Sequence, residues 1–292
     1  MVGILPTYLL TIAYDGTHYH GWQQQVGVRT IQEELEKACG RIGCAGVHVE
    51  GAGRTDTGVH AFAQGAHLVL PRSFPGDRLQ IALNSNLPDD ISVRAVRLAP
   101  DGFHARFHSR GKRYLYRVVC SRVKPAIGRS YYHWVRQDID VLAIRQAAQC
   151  LVGKHDFASF ATNPGYSRSR GTVRTLQRVH IIERRDGFDF AVQGSGFLYN
   201  MVRNLVGTLL QVGYGNRPPE WVKEVLEGCD RRLAGATAPA RGLYLVRALY
   251  APDLSPAGEE PGQELRDAKL REQDLAEHDA GDSHTGTLGP DS

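Results

Sequence analysis

Cysteine is scarce and scattered in this sequence. The five residues Cys39, Cys44, Cys120, Cys150 and Cys229 form no CxxC pair, so neither a disulfide framework nor a zinc knuckle is expected. Long hydrophobic runs are missing, which excludes a transmembrane helix. The opening Met1-Val2-Gly3-Ile4-Leu5-Pro6-Thr7 has no basic start and no extended apolar stretch, so no secretory signal is expected. These absences point to a reducing, cytoplasmic setting. Several reaction signatures are absent as well: Gly-x-Ser-x-Gly, His-Glu-x-x-His and a Cys–His nucleophile pattern. Gly51-x-Gly53 lacks a third glycine and a following helix pattern, and no Gly-Lys-Ser/Thr closes a Walker loop, so nucleotide-phosphate cradles are excluded. The pairs His18/His20 and His104/His108 lack a zinc-like spacing.

Residues 251–292 contain no Val, Ile, Phe, Tyr, Trp or Met and are rich in Asp, Glu, Gly and Pro. Such a stretch cannot bury enough apolar surface to offset ordering, and a disordered acidic tail is expected there. Its eleven acids and three bases leave residues 1–250 with 32 basic against 20 acidic residues, a balance of +12. That field favours a polyanionic partner such as nucleic acid, although a solvated basic surface alone satisfies it too.

The patterning mixes strands and helices. Tyr8–Tyr14 reads as a strand ended by Asp15-Gly16. Thr30 with Glu33 forms a capping box for a helix whose inner face is Ile31, Leu35, Ala38, Cys39 and Ile42. Strands follow at Val47–Val49, Ala66–Leu70 and Ile91–Leu98, with a helix over 77–87. Further on, Lys112–Cys120 alternates as a strand, and 140–151 is a helix capped by Gly153. Strands 175–183 and 188–193 are joined at Asp186-Gly187. An apolar helical stripe spans 197–210, a helix opens at Pro218-Pro219, and Leu243–Tyr250 is the last strand. Hairpin-type connections rather than regular βαβ units predict an α+β fold with largely antiparallel sheets. The expected division is an N-terminal α+β domain (1–104), a C-terminal α+β domain (105–250) and the tail (251–292).

The densest chemistry lies between Gly51 and His60. Three glycines in eight residues surround Arg54 and Asp56. One reading is an Asx-type turn with a surface arginine. The other is a carboxylate nucleophile beside a guanidinium, which keeps the carboxylate ionised for covalent chemistry. Arg110-Gly111-Lys112-Arg113-Tyr114-Leu115-Tyr116-Arg117 interleaves bases with tyrosines. It suits RNA, with nucleobases on rings and phosphates on cations, or an amphipathic strand with aromatics in the core. Arg203, on a helix that is apolar apart from it, Asn200, Asn204 and Thr208, needs a carboxylate partner if buried, or else lies on the exposed side.

Gly53-Arg54-Thr55-Asp56-Thr57-Gly58-Val59-His60 resembles the catalytic loop of the tRNA pseudouridine synthase A (TruA) family. The resemblance runs over residues 7–250 and includes Tyr14-Asp15-Gly16, Gly21-Trp22-Gln23, Asn84-x-Asn86-Leu87-Pro88 and Phe103-His104-Ala105-Arg106. It continues through Lys112-Arg113-Tyr114-x-Tyr116, Met201-Val202-Arg203-Asn204 and Gly242-Leu243-Tyr244-Leu245. It implies an isomerase acting on uridines 38, 39 and 40 of the tRNA anticodon stem-loop, without cofactor or metal. By the same resemblance Asp56 matches the nucleophile, and Tyr114 the tyrosine that stacks on the flipped uracil and serves as base. Arg203 matches the arginine pairing with the aspartate, Arg54 a residue holding the flipped base, and Leu245 an apolar wall of the uracil pocket. The implied architecture is two RNA-recognition-like halves around a central basic cleft, assembled as a homodimer on one tRNA. Two positions depart from the family pattern: Thr57 stands where Ala is usual, and Tyr199-Asn200 where a histidine is often seen. A non-catalytic RNA-binding module would not need Asp56. A glycoside hydrolase would need a second carboxylate across the cleft.

Overall fold

The structure is a computed structural model and describes residues 5–162, 171–251 and 254. In chain order the elements are β1 (Thr7–Tyr14), α1 (Ile31–Arg41), β2 (Val49–Gly51), β3 (His60–Val69), α2 (Gly76–Asn84), β4 (Ile91–Ala99), β5 (Gly111–Cys120) and β6 (His133–Val135). Then come α3 (Val141–Ala148), β7 (Gly153–Asp156), β8 (Val173–Arg184), β9 (Gly187–Gly194), α4 (Met201–Gly213), α5 (Trp221–Gly228) and β10 (Leu243–Leu249). The architecture is α+β, built on one mixed sheet in the order β4-β1-β3-β10-β5-β9-β8-β7, with β2 added to β3 and β6 to β5. All pairings are antiparallel except β10 with β3 and β5 with β6. Of residues 251–292 only Ala251 and Leu254 are described, so the expected acidic tail lies outside the described residues.

Alternation along β1 sends Tyr8, Leu10, Ile12 and Tyr14 to one face and Leu9 to the other. The first face carries the main core, to which all five helices contribute. Leu205 and Leu209 of α4 are almost completely buried there, each contributing about 1.5–3 kcal/mol over an exposed position. The opposite face holds smaller clusters, among them Leu115, Tyr244 and Val246.

Local signals explain the element ends. Thr30 caps α1: its Oγ1 accepts the Glu33 amide at 3.4 Å, and the Glu33 carboxylate pairs with Lys37 at 2.9 Å. The helix expected over 197–210 instead begins at Met201 and runs to Gly213, because Asn200 takes a left-handed conformation (φ +59°) that breaks the helical path. The helix expected over 140–151 ends as an α-helix at Ala148 and closes in a 3₁₀ turn at 149–151, and Gly153 opens β7 instead of capping it. The β8–β9 turn is Arg185-Asp186, with Arg184 paired to Gly187.

This topology sets one loop beside one helix end. Residues 52–59 link β2 to β3. β3 runs parallel to β10, with Tyr244 opposite His60 and Leu245 opposite Ala61. β10 in turn pairs with β5, with Leu245 opposite Tyr114. The loop, β10, β5 and the start of α4 thus converge, although they are far apart in sequence.

Candidate active site

The loop holding Asp56 is braced on several sides. The Tyr14 hydroxyl and Thr55 Oγ1 share a buried hydrogen bond of 2.8 Å, and Gln64 Nε2 donates to the Gly53 carbonyl at 2.8 Å. The Trp22 amide donates to the Thr55 carbonyl at 3.1 Å, and the Gly58 amide to the Tyr19 carbonyl at 3.4 Å. Two glycines permit this approach. Gly21 has φ +84°, and a Cβ there would lie 2.4 Å from the Thr55 carbonyl oxygen; at Gly16 it would lie 2.0 Å from that of Val59. The separate motifs around Tyr14 and Gly21 are therefore the bed on which the Asp56 loop rests. His60 is buried: its ring accepts the Gly16 amide at 3.1 Å and reaches the Ser130 carbonyl at 2.9 Å.

Arg203 leaves the first turn of α4 and meets this loop. Its Nη1 donates to Asp56 Oδ2 at 3.3 Å and to Asn200 Oδ1 at 2.9 Å, while its Nε donates to the Ala238 carbonyl at 2.7 Å. A guanidinium held at three points can shift little relative to the carboxylate. Burial pushes the Asp56 carboxyl above its ordinary value, and the Arg203 charge and hydrogen bond oppose that rise. The arginine therefore favours the anionic form in a setting that disfavours it. Asn200 braces the pair from the helix start, and its Nδ2 donates to Thr162 Oγ1 at 3.1 Å.

A cavity of about 750 Å³ opens over Asp56. Arg54, Tyr114, Lys112, Arg106, Trp22 and Leu243 are among its walls. Tyr114 is buried, with its ring edge-on to Phe197 at a centroid distance of 4.9 Å, and burial raises its phenol pKa. Tyr116, two residues along the same strand, belongs to the core and donates its hydroxyl to the Pro239 carbonyl at 2.8 Å. The two tyrosines of the basic-aromatic run thus differ in place: Tyr114 faces the cavity and Tyr116 does not. Arg54 is exposed at the rim, where its Nε donates to Gln23 Oε1 at 3.1 Å. Leu245 is fully buried beside Tyr114 and lies outside the cavity lining, which Leu243 reaches instead. Thr57 is exposed.

Residue patterns alone did not single out Lys112 or Asn200 for a role here. Lys112 lies along Gly53, and burial, with Arg106 nearby, lowers its pKa to about 8. A lysine inside a basic run carries no signal of burial; its alternation with Tyr114 on β5 does not reveal that both reach one cavity.

Glu50, His67 and His104 bring ligand atoms within 4.8 Å of one another. The His104 ring is already engaged on both sides: Nδ1 accepts the Arg106 amide at 3.1 Å, and Nε2 lies 3.2 Å from Glu50 Oε1. An Nδ1 that accepts leaves the proton on Nε2, so His104 points an N–H at the carboxylate rather than a lone pair at a cation. This cluster anchors the segment carrying Arg106 against β2 and β3.

The chain that carries this carboxylate–arginine pair beneath a polar cavity has relatives among known proteins. The model of the tRNA pseudouridine synthase family matches residues 10–108 and 147–251. The chain belongs to that family, whose members are isomerases converting uridine into pseudouridine. It is 42% identical over 242 residues to tRNA pseudouridine synthase A of Ruminiclostridium cellulolyticum, covering 82% of this chain and 98% of the relative. It is 43% identical over 242 residues to tRNA pseudouridine synthase A of Bacillus subtilis, covering 82% and 97%. A third relative, tRNA pseudouridine synthase A of Geobacillus kaustophilus, is 44% identical over 240 residues, covering 82% and 92%. Among the described residues no helix is long and apolar enough to cross a membrane.

Proposed function

We propose that this chain isomerises uridine to pseudouridine at positions 38, 39 and 40 of the tRNA anticodon stem-loop, with Asp56 as nucleophile. The observation that carries the reading is the Asp56–Arg203 pair at 3.3 Å beneath a cavity that Tyr114 also lines. The reaction must break the glycosidic bond to N1, turn the base and join C5 to C1′. A carboxylate serves this by attacking C1′ or by assisting elimination to a glycal. A uridine in a stem must leave the stack first. Tyr114 offers the flipped uracil an aromatic face and a hydroxyl to take the C5 proton at the end. Arg54 at the rim holds the flipped base, and Leu245 packs beside Tyr114 as its cross-strand neighbour. The halves 1–104 and 105–250 frame a basic cleft, and two copies of the chain hold one tRNA in the cytoplasm. Arg54, Arg106 and Lys112 around the cavity and the +12 balance of residues 1–250 support an RNA strand as the occupant. No cofactor or metal takes part in this scheme.

The test uses anticodon-arm uridines labelled with tritium at C5. Release of tritium by the wild-type protein, and its loss in Asp56→Ala and Asp56→Asn with tRNA affinity kept within a few-fold, is the expected result. Turnover near wild type in either variant removes Asp56 from the nucleophile role.

A further inference from the structure

The Asp56 loop borders a second cavity. Gly58, two residues after Asp56, forms part of its wall, and the cavity measures about 220 Å³. Lys124, Arg129 and Arg241 line it together with Thr17 and Trp134. No carboxylate is in that lining. Asp15 and Asp56, each two residues before a lining residue (Thr17 and Gly58), have other partners: Asp15 accepts from Thr17 and Tyr131, and Asp56 accepts from Arg203. Among the described residues neither Lys124 nor Arg129 forms an ion pair. Arg241 donates its Nε to the Tyr132 carbonyl at 3.2 Å, which fixes the side chain and leaves its two terminal nitrogens for another acceptor.

Three cations that face one small cavity repel each other, and among the described residues no carboxylate in the lining balances them. An anion in the cavity removes that repulsion and accepts from a planar arginine fork already held at one nitrogen. The wall is not wholly polar. Trp134 is held by its indole N–H, which donates to the Ser121 carbonyl at 2.9 Å, so its ring is fixed in place. A flat apolar wall next to a cationic floor suits a phosphate that carries a sugar more than a bare carboxylate.

We infer that the cavity formed by Lys124, Arg129 and Arg241 against Gly58 is a phosphate-binding site, taking a backbone phosphodiester of the RNA substrate. The choice of RNA over free phosphate rests on the proposed function; the anion chemistry does not. A phosphodiester seated there contacts the same loop that presents Asp56, so correct placement of the strand is felt by the loop through Gly58.

The test has two arms. In the first, inorganic phosphate is titrated into the full-length protein while the Gly58 amide and the Trp134 indole N–H are followed by NMR. Saturable shifts are expected in the wild type. Affinity weakened about tenfold is expected in Arg129→Ala and Arg241→Ala, with no change in Arg122→Ala, which removes a neighbouring exposed charge outside the lining. In the second arm, tRNA affinity is measured against salt. The log–log slope of Arg129→Ala is expected to fall by about 0.7–0.9 relative to the wild type. Shifts that do not saturate, or that are the same in all variants, overturn the site. A saturable phosphate titration with an unchanged tRNA slope overturns the RNA assignment and identifies a free-phosphate site. A wild-type protein that fails to release tritium from tRNA refutes the proposed function, while the phosphate arm still decides the cavity.

Discussion

Arg203 and Asp56 are 147 residues apart in the chain and 3.3 Å apart in the site. The Ala238 carbonyl and Asn200 hold the arginine from its other sides. Lysine at 203 retains a charge but cannot contact all three partners, since it lacks the planar fork. Arg203→Lys is therefore expected to lower single-turnover isomerisation by about 100-fold, the loss of one preorganised donor. The protein should remain folded by circular dichroism. Rates within a few-fold of wild type would show that the contact is dispensable.

The same pair sets a pH dependence. Burial raises the Asp56 pKa and Arg203 opposes the rise. With Asp56 as the proposed nucleophile the anion is required, so the single-turnover rate should climb with pH along an acid limb lying above the ordinary carboxylate range. In Arg203→Gln the opposing charge is gone, and the limb should move to still higher pH. The effect on stability has the reverse sign. Native Asp56 binds its proton more tightly than the unfolded chain does. Its contribution to stability is greatest at low pH and falls as pH rises between the ordinary carboxylate value and the native one. Asp56→Asn should remove that fall, as read from denaturant midpoints across the acid range.

Much of this site was legible before the structure. The stretch from Gly51 to His60 contains an unusual concentration of glycine around one carboxylate, and Arg203 was conspicuous as a charge on an apolar stripe. Both signals are local. What was not legible depends on pairing across the chain. Side-chain alternation shows that Leu243 and Leu245 share a face of β10, but not that β10 lies between β3 and β5. For that reason it could not show that Leu243 reaches the cavity while Leu245 is buried beside Tyr114. The 197–210 stripe began too early because Phe197 and Leu198 continue the apolar pattern through a turn. Only the left-handed Asn200 shows where the helix starts. The structural role of His60 was hidden for the same reason: its partners, Gly16 and Ser130, lie on other segments.

Asn200 separates backbone strain from side-chain bracing. Its φ of +59° is unfavourable for most residues, costing roughly 1–2 kcal/mol, and glycine relieves that cost. Its Oδ1 accepts from Arg203 at 2.9 Å, which glycine cannot reproduce. Asn200→Gly should keep thermal stability near wild type and lower kcat with little change in KM. Asn200→Ala should lose both, with a lower Tm as well as a lower kcat. Equal kcat for Asn200→Gly and wild type would mean that Arg203 holds its place without the amide.

Lys112 gives a readout on binding rather than chemistry. Its pKa of about 8 means that the free protein begins to lose this charge just above neutrality. An RNA phosphate entering the cavity favours the charged form and should raise the pKa again, so tRNA binding at pH 8–9 takes up a proton. Calorimetry in two buffers of different ionisation enthalpy measures that uptake. Lys112→Met should abolish it, and should also flatten the loss of affinity above pH 8. The stability sign is opposite to that of a lysine whose pKa is raised by an ion-pair partner. The native state releases the proton first, so stability from this group rises with pH between about 8 and its ordinary value of 10.5.

Tyr114 offers the sharpest distinction between two roles. Tyr114→Phe keeps the ring and its edge-on contact with Phe197, so a flipped uracil can still stack, at roughly 1–3 kcal/mol. It removes the hydroxyl that would accept the C5 proton, and product formation should fall by about two orders of magnitude. Cleavage of the glycosidic bond does not require that hydroxyl, so a covalent or rearranged adduct should accumulate on tRNA carrying 5-fluorouridine. Tyr114→Ala loses the platform as well, and should bind the target uridine poorly and form less adduct. The buried phenol has a raised pKa, so it is neutral across the working range and accepts a proton only as another leaves its oxygen. A solvent isotope effect on the last step should therefore be present in the wild type and absent in Tyr114→Phe. Single-turnover rates on a tRNA with one target uridine decide the matter. Equal rates for Tyr114→Phe and wild type would leave Tyr114 as a stacking residue and move proton removal to another group.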